Sequence, residues 1–221
     1  MLKTSYKQFL KKINEKKFFM MEVYLLLILQ IIIAFSILHL ENKINLIDTR
    51  YKFYGIVIFL FLIIYIMHHL TDKILKFIFL VLFSCCLGFL LGYKIDGKTK
   101  DGKELEKKSF LTTIVIFIYM IFFTFFLSSI GLKIPPYLGI VLFFGLLIVI
   151  VLIFIASVSN TYPLYQKIFS GILIFLFSGY IIYDTDNILN RDYDGNDFIS
   201  ATLDYLLDFI NVFSDVLDLE S

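Results

Sequence analysis

Residues 199–219 read Ile-Ser-Ala-Thr-Leu-Asp-Tyr-Leu-Leu-Asp-Phe-Ile-Asn-Val-Phe-Ser-Asp-Val-Leu-Asp-Leu, long enough to cross a bilayer yet carrying Asp204, Asp208, Asp215 and Asp218. On a helix turning about 100° per residue, these four acids and Asn211 fall within one arc of about 80°. Leu206, Phe209, Ile210, Phe213 and Leu217 take the far side. A carboxylate at membrane depth costs about 2.5–3.5 kcal/mol on insertion scales and survives where it serves an ion or proton pathway. Two placements fit the stripe. The segment is either an amphipathic helix on the membrane surface with its acids in water, or a helix within a bundle whose acids face a polar cavity. Surface helices are usually basic, because membranes present anionic lipid to them, and this favours the buried placement.

A second acidic group precedes it. The apolar run 168–183 continues as Asp184-Thr-Asp186-Asn-Ile-Leu-Asn-Arg-Asp192, followed by a polar turn over 193–197. Carboxylates at a helix C-terminus oppose the macrodipole, so ordinary end chemistry does not account for Asp184. Its position, where the apolar run ends, lets it reach the acids of the following segment.

The elements that must hold these groups follow from composition. The chain has 221 residues, 59% of them apolar and 18% aromatic, with mean hydropathy +0.86. A soluble domain of this size has too little interior for that excess, and a disordered chain has the opposite bias. A formal charge of +1 gives no electrostatic footprint for nucleic acid. Six windows approach the roughly 20 apolar residues needed to cross about 30 Å of hydrocarbon, namely 23–40, 54–70, 74–93, 110–130, 136–157 and 165–183. Lipid offers backbone amides no partner, so each window is predicted to be a helix. The first has no small-residue cleavage site at its end and is read as an anchor.

Before that anchor, a tail over 1–22 places Leu2, Tyr6, Phe9, Leu10 and Ile13 at helical spacing among lysines. It is a helix on an anionic surface or a solvated basic tail. Residues 23–221 form the membrane domain. The third connection, Lys94–Lys108, mixes both charges with Gly97 and Gly102 and is expected to be flexible and solvated. The basic tail favours a cytosolic N-terminus, although Lys and Arg then divide equally between the two sides. Cys85 and Cys86 lie in an apolar run and are read as buried thiols.

The pair of segments Tyr183-Asp-Thr-Asp-Asn-Ile-Leu-Asn190 and Asp197-Phe-Ile-Ser-Ala-Thr-Leu-Asp-Tyr-Leu-Leu-Asp-Phe-Ile-Asn-Val-Phe213 resembles the C-terminal signature of the Bax inhibitor-1 family. That signature has an aromatic residue before Asp-Thr-Gln on the sixth helix, then Asp-Tyr and a stretch ending Leu-Asp-Ile-Ile-Asn-Leu-Phe. The resemblance implies an all-α polytopic membrane protein with six transmembrane helices around a seventh, semi-hydrophobic acidic helix. It also implies a proton-sensitive calcium leak tied to control of cell death. The family's paired acids correspond to Asp184 and Asp208. Here Asp186 stands where the family has Gln, adding a carboxylate. The family's bacterial members latch the pair with an arginine on the second helix, whereas no apolar window here contains one. The nearest cations are Lys52, Lys73, His68 and His69, and His68 is the candidate replacement.

The chemistry expected of the pair is proton exchange. Two carboxylates in hydrogen-bonding reach lose their protons in two separated steps. Sharing one proton draws the sixth and seventh helices together; full ionisation parts them and exposes hard oxygen ligands that hold calcium transiently. Asp186, Asp204 and Asp215 would attract cations to the path. Calcium is thus cargo, no cofactor or catalytic residue is expected, and the partners are the lipid bilayer, calcium and protons. The location expected from the resemblance is the endoplasmic reticulum or Golgi in a eukaryotic or viral setting, and the inner membrane in a bacterium. A non-conducting regulator that binds partner membrane proteins is the alternative. An intramembrane aspartyl protease is a poorer one, since Asp208 follows Tyr205-Leu-Leu instead of Gly-x-Gly.

Overall fold

The computed structural model describes residues 2–44, 50–95, 100–190, 193 and 197–221. Among them every regular element is a helix: α1 (Leu2–Ile44), α2 (Arg50–His69), α3 (Lys73–Lys94), α4 (Lys100–Ser129), α5 (Leu138–Val158), α6 (Tyr162–Asn190) and α7 (Phe198–Glu220). Helices α1 to α6 are long and apolar enough to cross a membrane. The acids of α7 set it apart.

Three helices overrun the apolar windows. The basic tail and the first window form one uninterrupted helix, with no break at residue 22. At the third connection the expected flexible loop is corrected. Residues 96–99 lie outside the described residues, but Lys100–Lys108 is already the start of α4. Lys, Glu and Leu are good helix formers, and Glu104 and Lys108 stand four apart with the acid leading. Asp101, Lys103, Glu104, Lys107 and Lys108 are exposed, so the stretch is solvated as expected, with Glu106 buried in it. Likewise α6 continues through the acidic group to Asn190. Of the cysteines, Cys86 is buried and Cys85 is half-buried, both as thiols.

Chain contacts divide into two compact units. One comprises Phe19–Lys107 with Asp197–Leu206. Within it α2 and α3 form an antiparallel pair, and Asp72 caps α3 by accepting the Leu75 amide at 2.9 Å. Gly88 and Gly92 bring α3 against α1, where their missing side chains leave room for Ala34, Ile37, Leu38 and Glu41. The Ser84 hydroxyl donates to Gln30 Oε1 at 2.7 Å across the same contact. Tyr24 and Tyr205 stack with ring centroids 5.8 Å apart.

The other unit comprises Met1–Phe18, Lys108–Asn196 and Leu207–Ser221. Helices α5 and α6 pack along one another. Helix α5 buries only Leu142, Val149 and Ala156, a seam repeating every seven residues, and leaves the rest of its apolar surface for lipid. Phe110 and Phe117 of α4 meet Phe209 of α7 edge-on at 5.9 and 5.7 Å.

Helix α7 decides between the two placements of the acidic stripe. Only Leu219 in it is exposed, and Tyr205, Leu206, Val212 and Phe213 have no accessible surface at all. Its apolar side is buried, and on its acidic side Asp208 and Asp215 are buried and Asp204, Asn211 and Asp218 half-buried, which does not fit a surface helix with its acids in open water.

Candidate functional site

Asp184 and Asp208, 8% and 5% exposed, enter the same unit from different helices. Tyr180 stands one turn before Asp184 on α6 and lies within electrostatic reach of both carboxylates. Both acids thus act on the same phenol through their charge. Their supports can be read from neighbouring residues. Thr185, fully buried, returns its hydroxyl to the Ile181 carbonyl at 2.6 Å. Tyr183 lies over Gly139 of α5, where an added Cβ would come within 2.8 Å of its ring. On the other helix, Phe209 is held between the two α4 rings and fixes the turn that carries Asp208.

The rest of the stripe is distributed. Asp215, also buried, and the half-buried Asp218 act together on Tyr162, at the far end of α6. Tyr162 and Tyr180 are about 27 Å apart along the helix, from a rise of about 1.5 Å per residue. The α7 acids thus address α6 at two heights. Asp204 belongs to the first half of α7, in the other unit, and is half-buried.

Asp186 differs from the expectation that it adds to the pair. Two residues along a helix rotate its side chain by about 200°, to the side of α6 away from Asp184. There its Oδ1 accepts from the Asn190 amide at 2.6 Å, and Asn190 Oδ1 in turn accepts from the Lys12 ammonium at 2.5 Å. This network fastens the end of α6 to α1.

The candidate latch residues Lys52, Lys73, His68 and His69 are all exposed. They sit at helix ends, where a charged head reaches water. Sequence reading passed over a different cation, Lys76, which is inside the third apolar window. Its ammonium and the Asp197 carboxylate form an ion pair with side chains 12% and 14% exposed. Asp197 also caps α7, accepting the Ile199 and Ser200 amides at 3.2 and 3.1 Å and the Ser200 hydroxyl at 2.7 Å. Burial by itself raises the Asp197 carboxyl, but the hydrogen bonds from Lys76 and Ser200, with the Lys76 charge, outweigh it and hold the group below the ordinary aspartate value. The sequence signal is a lone lysine one turn inside an apolar helix, which needs an acidic partner, although nothing in the sequence names Asp197 as that partner. The second carboxy-terminal anchor was also unforeseen. Glu220 accepts from Ser109 at 3.0 Å and Thr112 at 3.4 Å, with Lys108 3.6 Å away.

Among the described residues no group of three or more His, Cys, Asp or Glu side chains is arranged to hold a metal ion. The acids are strung along the helices and do not form a chelating cage.

Residues 16–219 match the family model described as inhibitor of apoptosis-promoting Bax1. The chain belongs to the Bax inhibitor-1 family. Relatives of this family member include a BI1-like protein of Arabidopsis thaliana, 30% identical over 168 residues, which are 74% of this chain and 64% of the relative. Bax inhibitor 1 of Schizosaccharomyces pombe is 31% identical over 144 residues, 65% of this chain and 51% of the relative. An uncharacterized protein of Helicobacter pylori is 38% identical over 85 residues, 37% of this chain and 34% of the relative. The chain thus spans less than two thirds of the length of these relatives. It is a multi-pass membrane protein, with six helices able to cross and a seventh buried within the chain.

Proposed function

We propose that this chain is a proton-responsive calcium leak, with Asp184 and Asp208 as its gate, and that it acts in the control of cell death to which the names of its relatives refer. The observation that supports the gate is that both acids, one from α6 and one from α7, are buried in the same unit and both act by their charge on Tyr180. Brought within hydrogen-bonding reach, two carboxylates cannot both ionise cheaply. A shared proton holds α6 to α7; its loss forces them apart and leaves hard oxygens that calcium takes as ligands. Two carboxylates make a weak site, and a leak needs one that releases its ion. Asp215 and Asp218 draw cations along the wall toward Tyr162. Asp186 is a brace, occupied by Asn190.

The test is calcium flux into proteoliposomes holding the full chain, measured from acid to neutral pH. Flux is expected to rise as the pair loses its proton. Asp184→Asn and Asp208→Asn each abolish the shared proton and are expected to flatten that rise. An unchanged pH profile in both variants removes the pair from the gate. Absence of flux from the unaltered protein rejects the leak and leaves the non-conducting regulator.

A further inference from the structure

Helices α4, α5 and α6 leave an apolar groove between them within one unit. Its volume is about 810 Å³, and it is lined by Met120 and Phe123 on α4, Leu142 and Gly145 on α5, and Gly171 and Phe175 on α6. Tyr119 and Ser178 alone bring hydroxyls to the wall. A Cβ built on Gly171 meets nothing within 4 Å, so the space is open at that point.

The occupant can be argued from surroundings and size. Ordered water needs two to four polar partners, and these walls offer too few to keep such a space wet. All three helices are ones that cross the membrane, so the mouth of the groove opens on hydrocarbon. A membrane-crossing helix about 10 Å wide would enter it with one face only and leave its ends unfilled. Cavities of about 300–1,000 Å³ are instead the class that encloses single small ligands. We propose that this groove is a lipid site that takes one acyl chain of a bilayer phospholipid along α4, α5 and α6. Such a chain completes the packing that is open at Gly171 and supports α6 just below the turn that carries Tyr180.

The experiment uses the full chain in nanodiscs containing phosphatidylcholine with a photoactivatable group at mid-chain, and maps the adducts by mass spectrometry. Ile58 and Phe61 of α2, both strongly exposed and apolar, report ordinary annular lipid. Labelling of Met120 and Phe175 is expected to exceed theirs. Gly171→Phe places a ring in open space, so it fills the groove without pressing on the fold. It should lower groove labelling by about tenfold, the order expected when the ligand must bear an overpacking clash, and leave α2 labelling unchanged. Gly171→Leu does the same with a smaller group, should the phenylalanine variant fail to fold. Equal labelling of groove and α2 in the unaltered protein overturns the proposal. So does groove labelling that survives substitution, or a dimer that dissociates on filling the groove, which would make a second copy the occupant.

Discussion

Alanine at Gly88 would carry its Cβ to 2.3 Å from the Ala34 carbonyl oxygen and 2.7 Å from the Ile37 Cβ. Carbon contacts are at ease near 3.5 Å, so α1 and α3 would have to part by about 1 Å. The obstacle is backbone and a Cβ, and no change of rotamer relieves it. Gly92 lies as close to Glu41, at 2.6 Å, so parting at one glycine strips contact from the other. Overpacking of this kind costs about 3 kcal/mol when the backbone must yield, while alanine returns about 1 kcal/mol of helix propensity. The expected net loss is about 2 kcal/mol. Gly55, in the interior of α2, has nothing within 4 Å of its built Cβ. Gly55→Ala should keep the propensity gain alone and stabilise the protein by about 0.5–1 kcal/mol. Equilibrium unfolding of both variants in mixed micelles, by titration with denaturing detergent, measures the pair. Propensity alone would move them together; the geometry moves them apart. Shifts of the same sign and similar size would refute the close approach of α1 and α3.

Asp197 has a pKa held below its ordinary value in the folded chain, so its stabilisation is present above the unfolded aspartate value of about 3.9 and is lost as pH falls through the folded one. Thermal midpoints measured toward acid should therefore fall more steeply in the unaltered protein than in Asp197→Asn, which still caps α7. Lys76→Met should destabilise by about 3 kcal/mol by leaving Asp197 without its cation, and the double variant with Asp197→Asn should recover part of that loss in the same unfolding assay. Phe209→Ala empties the place between Phe110 and Phe117 and should cost about 3–5 kcal/mol, read by denaturing-detergent titration.

The six apolar windows were legible because hydrocarbon thickness sets a length that composition either meets or does not. Helix ends were less so: charged residues such as Lys100–Lys108 and Asp184–Asn190 break an apolar window without breaking a helix, since backbone hydrogen bonds continue through them. The stripe on α7 was visible as periodicity, and its enclosure followed from the misfit between an acidic face and anionic lipid. The bond from Asn190 to Asp186 was not legible, because a partner one turn along a helix depends on side-chain direction. Lys76 and Asp197 are separated by 120 intervening residues, and only tertiary structure could join them. The same holds for Gly88 and Gly92, whose spacing is common in apolar helices and gains meaning only from Ala34 and Leu38 opposite.

The enclosure of α7 also bears on how the molecule comes to be assembled. Four aspartates at about 2.5–3.5 kcal/mol each set roughly 10–14 kcal/mol against solitary partition of this segment into lipid. The six greasier segments can be handed to the bilayer one by one; the acidic one has to be taken up by protein already there. Biogenesis then has two stages, insertion and afterwards uptake, and a fault in a neighbour that takes up the acidic segment would strand it in water even though its own residues were unaltered.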